Sequence, residues 1–506
     1  MVERGLARCV PARSEENIVH QGIWGFESHA RLEGAVMGFV NGSASWDESF
    51  DVVVIGTGYA GLMAAYEASR LADRVLVVEK MSYTGGNSRI AGGGYCCWDS
   101  KLKYREKFDL GDDSWELHAQ DTLAAGQGYN DPKLVEVLAK EAPAGLDLLV
   151  DAGIEFRESL PRIGGHSAYR SYQMASSGAE IIDRLVALAC ADGNVEIRKK
   201  VAVTDILRSY GVDGKVVGVV LEDEGCRQIV IEATSGIVVA SGGYAADVEL
   251  RTSYKPSLTD AFNCTNHKGA TGEVIRMAKE IGADTTHMEF VQLYPCADPD
   301  SGGIDQGAFL CYSGTGYGLV YVDGAGRRFV NELASREVVS QAQIASGSKP
   351  SYSVLNDAIF AALGIGSEDI ERMVRRGRAV KASALGDLAD ACGFDAEAFE
   401  QSIGAHNAAI ASGEQAEFGK PTTDKMIPLD TGDYYAIAQW PSVHYCMGGL
   451  RIDAQARVLD AWGNPIPGLF AAGECCGGLH GIDRLGGNGI AECVVFGRIA
   501  GKNVCD

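Results

Sequence analysis

Residues 50–61 read FDVVVIGTGYAG, an apolar, valine-rich run that ends in the glycine pattern GxGxxG. A continuous apolar run is typical of a strand buried on both faces of a parallel sheet. Helical periodicity follows over residues 62–71, and a second apolar run at 74–78 ends at Glu79, 18 residues after Gly61. This order of strand, glycines, helix, strand and acid predicts a dinucleotide-binding βαβ unit.

Each glycine of this pattern has a separate role in holding a dinucleotide. Gly56 permits the tight turn, Gly58 lets backbone N–H groups approach a pyrophosphate, and Gly61 allows the helix to pack close to the strand. The N-terminus of the helix then faces the negative charge of the phosphates. Glu79 is expected to accept hydrogen bonds from the ribose hydroxyl groups. An incidental glycine turn is the alternative, and it leaves the flanking strands and the acid unexplained.

The composition is that of an acidic globular protein. The chain has 506 residues, with 45 Lys and Arg against 68 Asp and Glu, so its net charge is −23. This charge opposes binding to nucleic acid and to anionic lipid. No apolar run reaches the roughly 18–20 residues that cross a bilayer, and the length allows about two to four domains.

The fourteen cysteines lack the spacing of a disulfide framework, a haem site or a zinc site. We therefore expect no metal, reduced cysteines and a cytoplasmic location. Residues 1–47 contain no readable helix or strand and are predicted to form an N-terminal extension of unknown role. The apolar stretch at 34–40 comes too late for the apolar segment of a secretory signal, so we expect no export.

More glycine-rich motifs lie close to the βαβ unit and near the C-terminus. Residues 468–474 read GLFAAGE, a short strand that ends in Glu474, and residues 477–490 read GGLHGIDRLGGNGI. A predicted helix at 491–503 points its N-terminus back at this site, where it would stabilise the negative charge of a reduced cofactor. A further glycine-rich stretch at 85–94 follows Glu79.

Together these motifs resemble the FAD-dependent fumarate reductase and succinate dehydrogenase flavoprotein superfamily, in its soluble fumarate, urocanate and enone reductase-like branch, which is related to the 3-ketosteroid dehydrogenases. The resemblance extends from about residue 48 to the C-terminus. It implies an α/β fold with a Rossmann-like FAD-binding domain of the glutathione reductase type and an inserted α+β capping domain. We place the FAD-binding domain at 48–290 and 440–506, and the capping domain at 291–439.

The resemblance also implies which residues hold FAD. Glu79 would hold the adenosine ribose, residues 85–88 would line the flavin, Glu474 would meet the ribityl chain, and residues 488–490 would supply backbone N–H groups to the pyrimidine side of the ring. No His stands in 88–94, where the membrane-complex enzymes carry a covalently linked His, so we expect non-covalent FAD. The implied cofactor-binding residues are Gly56, Gly58, Ala60, Gly61, Glu79, Lys80, Gly86, Asn87, Ser88, Ala91, Gly92, Gly93, Val201, Ala202, Ser241, Gly242, Gly473, Glu474, Gly487, Asn488, Gly489 and Ile490.

Four residues are predicted to be catalytic, three of them through the resemblance. Reduction of an activated C=C bond needs a hydride from flavin N5, a group that polarises the alkene and a proton donor. Arg336 matches the proton donor of the family, His444 a substrate-binding His, and Arg484 the Arg that clamps a substrate carboxylate; Tyr294 is the fourth. Because the pKa of Arg exceeds ~12, Arg336 needs nearby positive charge to act as an acid. The alternative for Arg336 is a structural ion pair between the two domains.

Departures from the family pattern indicate the substrate. Dicarboxylate reductases have a His before a proline where this chain has Tyr294, and Tyr312 and Thr315 stand in place of the Glu and Arg of their proton relay. With Tyr317 and Tyr445, these tyrosines could form a flat, hydrogen-bonding pocket; simple packing is the alternative for two of the four. We therefore expect a cyclic or aromatic enone or acrylate rather than fumarate.

Two other functions are compatible with the same motifs. One is dehydrogenation of the CH–CH group of a ketosteroid-like or polyphenol substrate, and the other is that of a flavoprotein subunit in an electron-transfer complex. The chain shows no haem, iron–sulfur or FMN-attachment motif and no second complete dinucleotide fingerprint. Electrons are therefore expected from a separate redox protein or from a reduced dye or flavin. His166, Tyr169 and Arg170 resemble a flavin-side loop of the family, and a structural role for them is equally open.

Overall fold

The computed structural model describes residues 38–40, 45–210 and 214–506. The predicted extension at 1–47 therefore lies outside the described residues, except for 38–40 and 45–47. The helices are α1 (Tyr59–Ser69), α2 (Tyr104–Lys107), α3 (Trp115–Gly126), α4 (Pro132–Asp151), α5 (Gly178–Ala189), α6 (Val248–Tyr254), α7 (Glu273–Glu280), α8 (Gln306–Ser313), α9 (Arg336–Ser346), α10 (Asp357–Ala362), α11 (Ser367–Arg375), α12 (Leu385–Cys392), α13 (Ala396–Ser412) and α14 (Asn488–Asn503).

The strands belong to a large mixed sheet, a second antiparallel sheet and two small ones. They are β1 (Phe39–Val40), β2 (Glu48–Ile55), β3 (Val75–Glu79), β4 (Gly94–Cys96), β5 (Ser171–Gln173), β6 (Val195–Lys199), β7 (Val201–Ser209), β8 (Val216–Asp223), β9 (Gln228–Val239), β10 (Thr285–Thr286), β11 (Val291–Ala297), β12 (Val320–Val322), β13 (Ser351–Asn356), β14 (Ala379–Ala382), β15 (Tyr434–Cys446), β16 (Gly449–Arg451), β17 (Arg457–Leu459), β18 (Pro465–Ala471) and β19 (Cys476–Gly477). Short 3₁₀ helices span Gly86–Ile90, Gly314–Tyr317 and Glu417–Gly419.

The large sheet has nine strands in the order β1-β7-β8-β9-β2-β3-β6, with β18 beside β9 and β17 beside β18. Strands β2, β3, β6, β9 and β18 run parallel, as the apolar run at 50–55 predicts. The first helix begins at Tyr59, three residues before the predicted start at 62. The prediction was late because Gly61, which was assigned to the turn, lies in the first turn of the helix.

The C-terminal segment packs against the start of the βαβ unit. Helix α14 lies on α1, and a Cβ added at Gly497 would approach the Ala60 oxygen to 2.5 Å, so this helix pair requires a small residue at the contact. Helix α14 begins at Asn488 rather than at the predicted 491. Because β18 also pairs with β9, both glycine-rich motifs reach the same edge of the sheet.

The second sheet lies between the two parts of the nucleotide fold in the chain. Its order is β11-β15-β13-β12, with β14 also paired to β15, and all pairs are antiparallel. A separate apolar core packs on it and is built mostly from residues 294–437. The fold is thus the predicted mixed α/β class, while the predicted domain boundaries remain predictions.

No helix within 38–40, 45–210 and 214–506 is long and apolar enough to cross a membrane. The same residues contain no group of three or more His, Cys, Asp or Glu side chains placed to hold a metal ion.

Candidate active site

A cleft opens where β2 and β3 end. Gly56 has a φ of +109°, and a Cβ added there would collide with the Ala240 carbonyl oxygen, so this turn requires glycine. At Gly61 a Cβ would collide with the Gly56 oxygen. Glu79 accepts hydrogen bonds from the backbone N–H of Thr57, at 3.3 Å, and from its hydroxyl. These contacts hold the turn, the helix and the acid together at the rim of this first cleft.

Most of the predicted cofactor-binding residues line the first cleft. They are Gly56, Gly58, Ala60, Glu79, Lys80, Gly86, Asn87, Ser88, Val201, Ala202, Ser241, Gly242, Gly473 and Glu474. A second cleft is lined by Ala91, Gly92, Gly93, Gly487, Gly489 and Ile490. Gly61 and Asn488 line neither: Gly61 packs on Gly56, and the Asn488 side chain bonds His118 at 2.9 Å and Thr122 at 3.0 Å.

The two clefts form one continuous groove. They share a set of lining residues, namely Tyr59, Asn87, Ser88, Glu474 and Cys493. The first cleft holds about 970 Å³ of empty space and the second about 1020 Å³, both open to solvent. The groove therefore has room for a dinucleotide along the glycine turn and a small molecule at its far end.

Several free groups in the groove fit FAD. Helices α1 and α14 both have a glycine as the residue before their first turn, Gly58 and Gly487, so neither has a capping side chain at that position; in α1 the Tyr59 N–H donates to the Ser88 hydroxyl at 3.0 Å. Such N-termini attract phosphate and other negative charge. The buried Ser241 hydroxyl has no hydrogen-bond partner among the described residues. Gly86 and Gly242 have positive φ and open space where a side chain would lie.

Arg336, Tyr294, His444 and Arg484, the four predicted catalytic residues, all line the second cleft. Arg336 is the first residue of α9 and is 7% exposed. Its guanidinium lies 4.9 Å from the ring centre of Tyr294 and 4.6 Å from that of Tyr312, and it donates to Gln292 Oε1 at 3.0 Å. Its Nε–H has no acceptor within the described chain. Arg336 is therefore held by rings and an amide, not by a carboxylate.

Arg484 and His444 form a second group of predicted catalytic residues in the same cleft as Arg336. Arg484 lies 4.2 Å from the ring centre of Tyr445 and donates to His444 Nε2 at 3.1 Å. His444 Nε2 is thus an acceptor, and the proton sits on Nδ1, which donates to the Thr265 hydroxyl at 2.7 Å. Burial, together with the charges of Arg336 and Arg484, holds the pKa of His444 well below its usual value, so this ring is neutral.

The tyrosines divide between the cleft and the core. Tyr294, Tyr312 and Tyr445 line the second cleft, whereas Tyr317 is not among its lining residues and packs on the second core. The hydroxyl of Tyr294 donates to the Ala308 carbonyl at 3.0 Å. Tyr294 therefore presents its ring to the cleft, while its hydroxyl is already bonded.

Glu474 lies where the two clefts meet. It accepts hydrogen bonds from the Cys446 backbone at 3.1 Å and from Asn87 Nδ2 at 3.3 Å. Burial raises the pKa of Glu474 to about 7, because removal from water disfavours the charged carboxylate. A hydroxyl-rich ligand such as a ribityl chain would restore the lost hydrogen bonds.

A cluster of side chains around His166 packs against the loop that precedes α14. His166 Nε2 donates to the Gly486 carbonyl at 2.9 Å, and Arg170 pairs with Asp113 at 2.8 Å and with Asp121 at 2.6 Å. Neither His166 nor Arg170 lines the second cleft. Their contacts shown here are with other groups of the protein, as a structural role would require, and that role remains one of the two predictions.

Some residues of the site carry no sequence signal of their own. Gln292 Nε2 donates to Asp483 Oδ1 at 2.5 Å and to the Arg484 carbonyl at 2.7 Å, so it links both arginine-bearing segments. Gln292 and Asp483 are 191 residues apart in the chain. No spacing rule connects residues at that separation, and an alignment of relatives would be needed to find them.

Comparison with known proteins places the chain in a family. A family model described as "FAD binding domain" matches residues 51–490. The acrylate reductase flavoprotein subunit of Shewanella woodyi is 32% identical over 472 residues, which covers 90% of this chain and 91% of that protein. The fumarate reductase (cytochrome) of Shewanella frigidimarina is also 32% identical, over 90% of this chain and 77% of that protein.

Solved structures agree with this assignment. The open conformation of a flavocytochrome c3 fumarate reductase matches with a TM-score of 0.69 and 32% identity, over 91% of this chain and 79% of that one. A 3-ketosteroid Δ1-dehydrogenase from Sterolibacterium denitrificans matches with the same TM-score at 21% identity, over 90% of this chain and 99% of that one, a likeness of fold alone. The chain therefore belongs to the FAD-binding flavoprotein family of the fumarate and acrylate reductases, and it is an FAD-dependent oxidoreductase that acts on CH–CH groups.

Proposed function

We propose that the protein reduces the C=C bond of a cyclic or aromatic enone or acrylate rather than fumarate. The observation that carries this proposal is the pair of buried guanidinium groups, Arg336 and Arg484, which face one cleft without a carboxylate ion-pair partner among the described residues. A buried positive charge is costly unless an anion or a polarised oxygen compensates it. The substrate would supply that group.

The remaining walls of the second cleft favour a ring over a second carboxylate. Ile90, Ile163, Ile304 and Phe309 line it together with the rings of Tyr294 and Tyr312. The two polar ends of Gln292 are already bonded, to Arg336 and to Asp483. With Arg336 taken as the proton donor, the second charge of a dicarboxylate would meet only apolar or neutral polar side chains, whereas an aryl or cyclic group would bury apolar surface there.

Bound FAD would supply the hydride, and residues of the chain would hold the substrate and donate the proton. Arg484, oriented by His444, would hold the substrate carboxylate or carbonyl, and Arg336 would donate the proton. Although burial lowers the pKa of Arg336, the nearby Tyr312 and Tyr294 phenols outweigh burial and raise it. Arg336 could then release a proton only to a strongly basic carbon, which forms in the substrate as it accepts the hydride.

A substrate screen tests this proposal. The FAD-loaded protein is reduced with dithionite and mixed with a cyclic enone, an aryl acrylate or fumarate, and re-oxidation is followed by flavin absorbance. We expect faster re-oxidation by the enone or the acrylate than by fumarate. Faster re-oxidation by fumarate would reverse the proposed substrate class.

The reverse reaction, dehydrogenation of a ketosteroid-like or polyphenol CH–CH group, is the second candidate. Tyr312 favours it, because its hydroxyl makes a long contact of 3.5 Å to the Gly164 carbonyl and lies beside the Arg336 guanidinium, where it could polarise a ketone. The oxidised protein would then be bleached by a saturated cyclic ketone under anaerobic conditions. A protein that stays oxidised with such ketones, and is re-oxidised by enones once reduced, acts as a reductase.

We also propose non-covalent FAD, an external electron donor and a reducing, cytoplasmic location. The segment 88–94 has no His, and the thirteen cysteines in the described ranges are all free thiols. Acid precipitation is expected to release the yellow colour into the supernatant. Flavin that stays in the denatured pellet would show a covalent link.

A further inference from the structure

A buried carboxylate lies directly behind the wall of the second cleft. The Tyr445 ring lines the cleft, and its hydroxyl donates to Glu492 Oε2 at 2.5 Å. His480 Nε2 donates to the same oxygen at 2.8 Å. Glu492 and His480 are each only 2% exposed, so water reaches neither of them. None of the roles assigned above uses this group of three.

The hydrogen bonds indicate that the group carries a net negative charge. His480 Nδ1 is buried and has no partner within the described ranges. A second proton on this ring would leave an N–H without an acceptor, which is costly, so His480 is neutral and donates through Nε2. Burial and the adjacent Glu492 raise the pKa of Tyr445 well above its usual value, so the phenol stays protonated as the donor.

This charge is close to the place proposed for the flavin. Glu492 lies in α14, one turn beyond the cleft-lining Gly489 and Ile490, and the next residue, Cys493, lines both clefts. A Cβ added at Gly489 would lie 3.3 Å from Tyr445 Cε2, so the phenol ring packs against the first turn of the helix. The carboxylate is thus separated from the cleft by one phenol.

We propose that the negative charge of Glu492, held behind the Tyr445 ring, lowers the reduction potential of the bound flavin. Two-electron reduction adds negative charge to the flavin, and a fixed negative charge in a low-dielectric wall opposes it. The inference rests on the proposed position of the flavin beside Gly489. An alkene with one electron-withdrawing group is harder to reduce than one with two, so a more strongly reducing flavin suits an acrylate or enone.

The test is a redox titration of FAD-loaded protein in the presence of indicator dyes, at one fixed pH. Glu492→Gln keeps the shape and removes the charge, and its midpoint potential is expected to be more positive than that of the wild type. Glu67→Gln is the matched control, because Glu67 is equally buried but pairs with Arg498 at 2.7 Å and lines neither cleft. A Glu492→Gln potential equal to that of the wild type would overturn the proposal.

Tyr445→Phe tests the same effect on the flavin potential if Glu492→Gln fails to bind FAD. It keeps the ring and the carboxylate but removes the O–H that partly neutralises the charge, so the potential is expected to become more negative. An unchanged or more positive potential would overturn the proposal. The titration needs no substrate. If the potentials shift as expected and the alkene screen fails, the proposed function is rejected and this inference stands.

Discussion

Two buried guanidinium groups of like charge face one cleft, and the side chains around them explain how they are tolerated. Arg336 lies over two phenol rings, and Arg484 lies over Tyr445 and donates to a neutral His444. Cation–π contacts and a neutral acceptor hold each charge without cancelling it. Burial and the charge of Arg336 also lower the pKa of Arg484. The cleft therefore keeps a positive field for an anion or carbonyl oxygen.

Arg336→Ala tests the proposed proton donor. We expect turnover of the alkene to fall by about 10²–10⁴-fold, the usual contribution of a general acid, while FAD stays bound. Steady-state reduction with dithionite or a dye measures it. Arg327→Ala is the control, since Arg327 is 56% exposed and pairs with Asp395 on the surface. Full turnover by Arg336→Ala would assign the proton to another group.

Glu474→Gln tests the carboxylate with the raised pKa. The folded-state pKa is about 7 against an ordinary 4.5, so between these values the folded protein binds more protons and loses stability as pH rises. Gln carries no charge, so the variant is expected to become more stable than FAD-free wild type as pH rises. The difference in the free energy of unfolding is expected to reach about 3 kcal/mol at pH values above 7. Urea unfolding of FAD-free protein at about pH 5 and about pH 8 measures this gain. A gain that is the same at both pH values would contradict the raised pKa.

Helix α14 organises the site as an element. Its uncapped N-terminus faces the second cleft, its first turn packs on Tyr445 and Arg484, and its later glycines pack on α1. One helix thereby couples the proposed flavin position, the substrate anchor and the start of the βαβ unit.

Gly489→Ala tests this coupling. A Cβ at Gly489 would lie 3.1 Å from Arg484 Nη1 and 3.3 Å from Arg484 Cζ, which is tighter than ordinary contact, so the guanidinium must shift. We expect the KM of a carboxylate substrate to rise about tenfold, or ~1.4 kcal/mol, with FAD retained. Gly404→Ala in α13 is the control, because a Cβ there meets nothing within 4 Å. An unchanged KM in Gly489→Ala would show that Arg484 is not held by this turn.

The net charge of −23 belongs to the whole molecule and affects how it associates with charged partners. A strongly acidic surface attracts cationic partners at long range, and salt screens this attraction beyond a Debye length of about 10 Å at 0.1 M. The proposed external donor would therefore be favoured by a positive surface.

Small reductants of opposite charge test this effect. Flavin reduction by a cationic reductant such as reduced methyl viologen is expected to slow as salt is added, and reduction by an anionic quinol sulfonate to accelerate. Stopped-flow absorbance at several salt concentrations measures both rates. Equal salt dependence for the two reductants would show that the surface charge does not steer electron donors.

The βαβ unit and its cofactor class were predictable from the chain alone. The turn at Gly56 and the contact at Gly61 are local consequences of backbone geometry, and such geometry selects glycine whatever the rest of the molecule does. The resemblance extended this prediction to the C-terminal motif and to Arg336, His444 and Arg484, which the structure brings into one cleft.

Packing between distant segments decided the rest. The Tyr294 hydroxyl donates to the Ala308 carbonyl because β11 lies beside α8, and the Tyr445 hydroxyl donates to Glu492 because β15 lies beside α14. No local sequence pattern encodes these contacts. A buried donor must bond to whichever acceptor the fold brings within reach. The sequence was therefore enough to predict FAD and the two site arginines, Arg336 and Arg484. The polarity of the cleft and the position of the Glu492 carboxylate behind its wall depended on tertiary contacts.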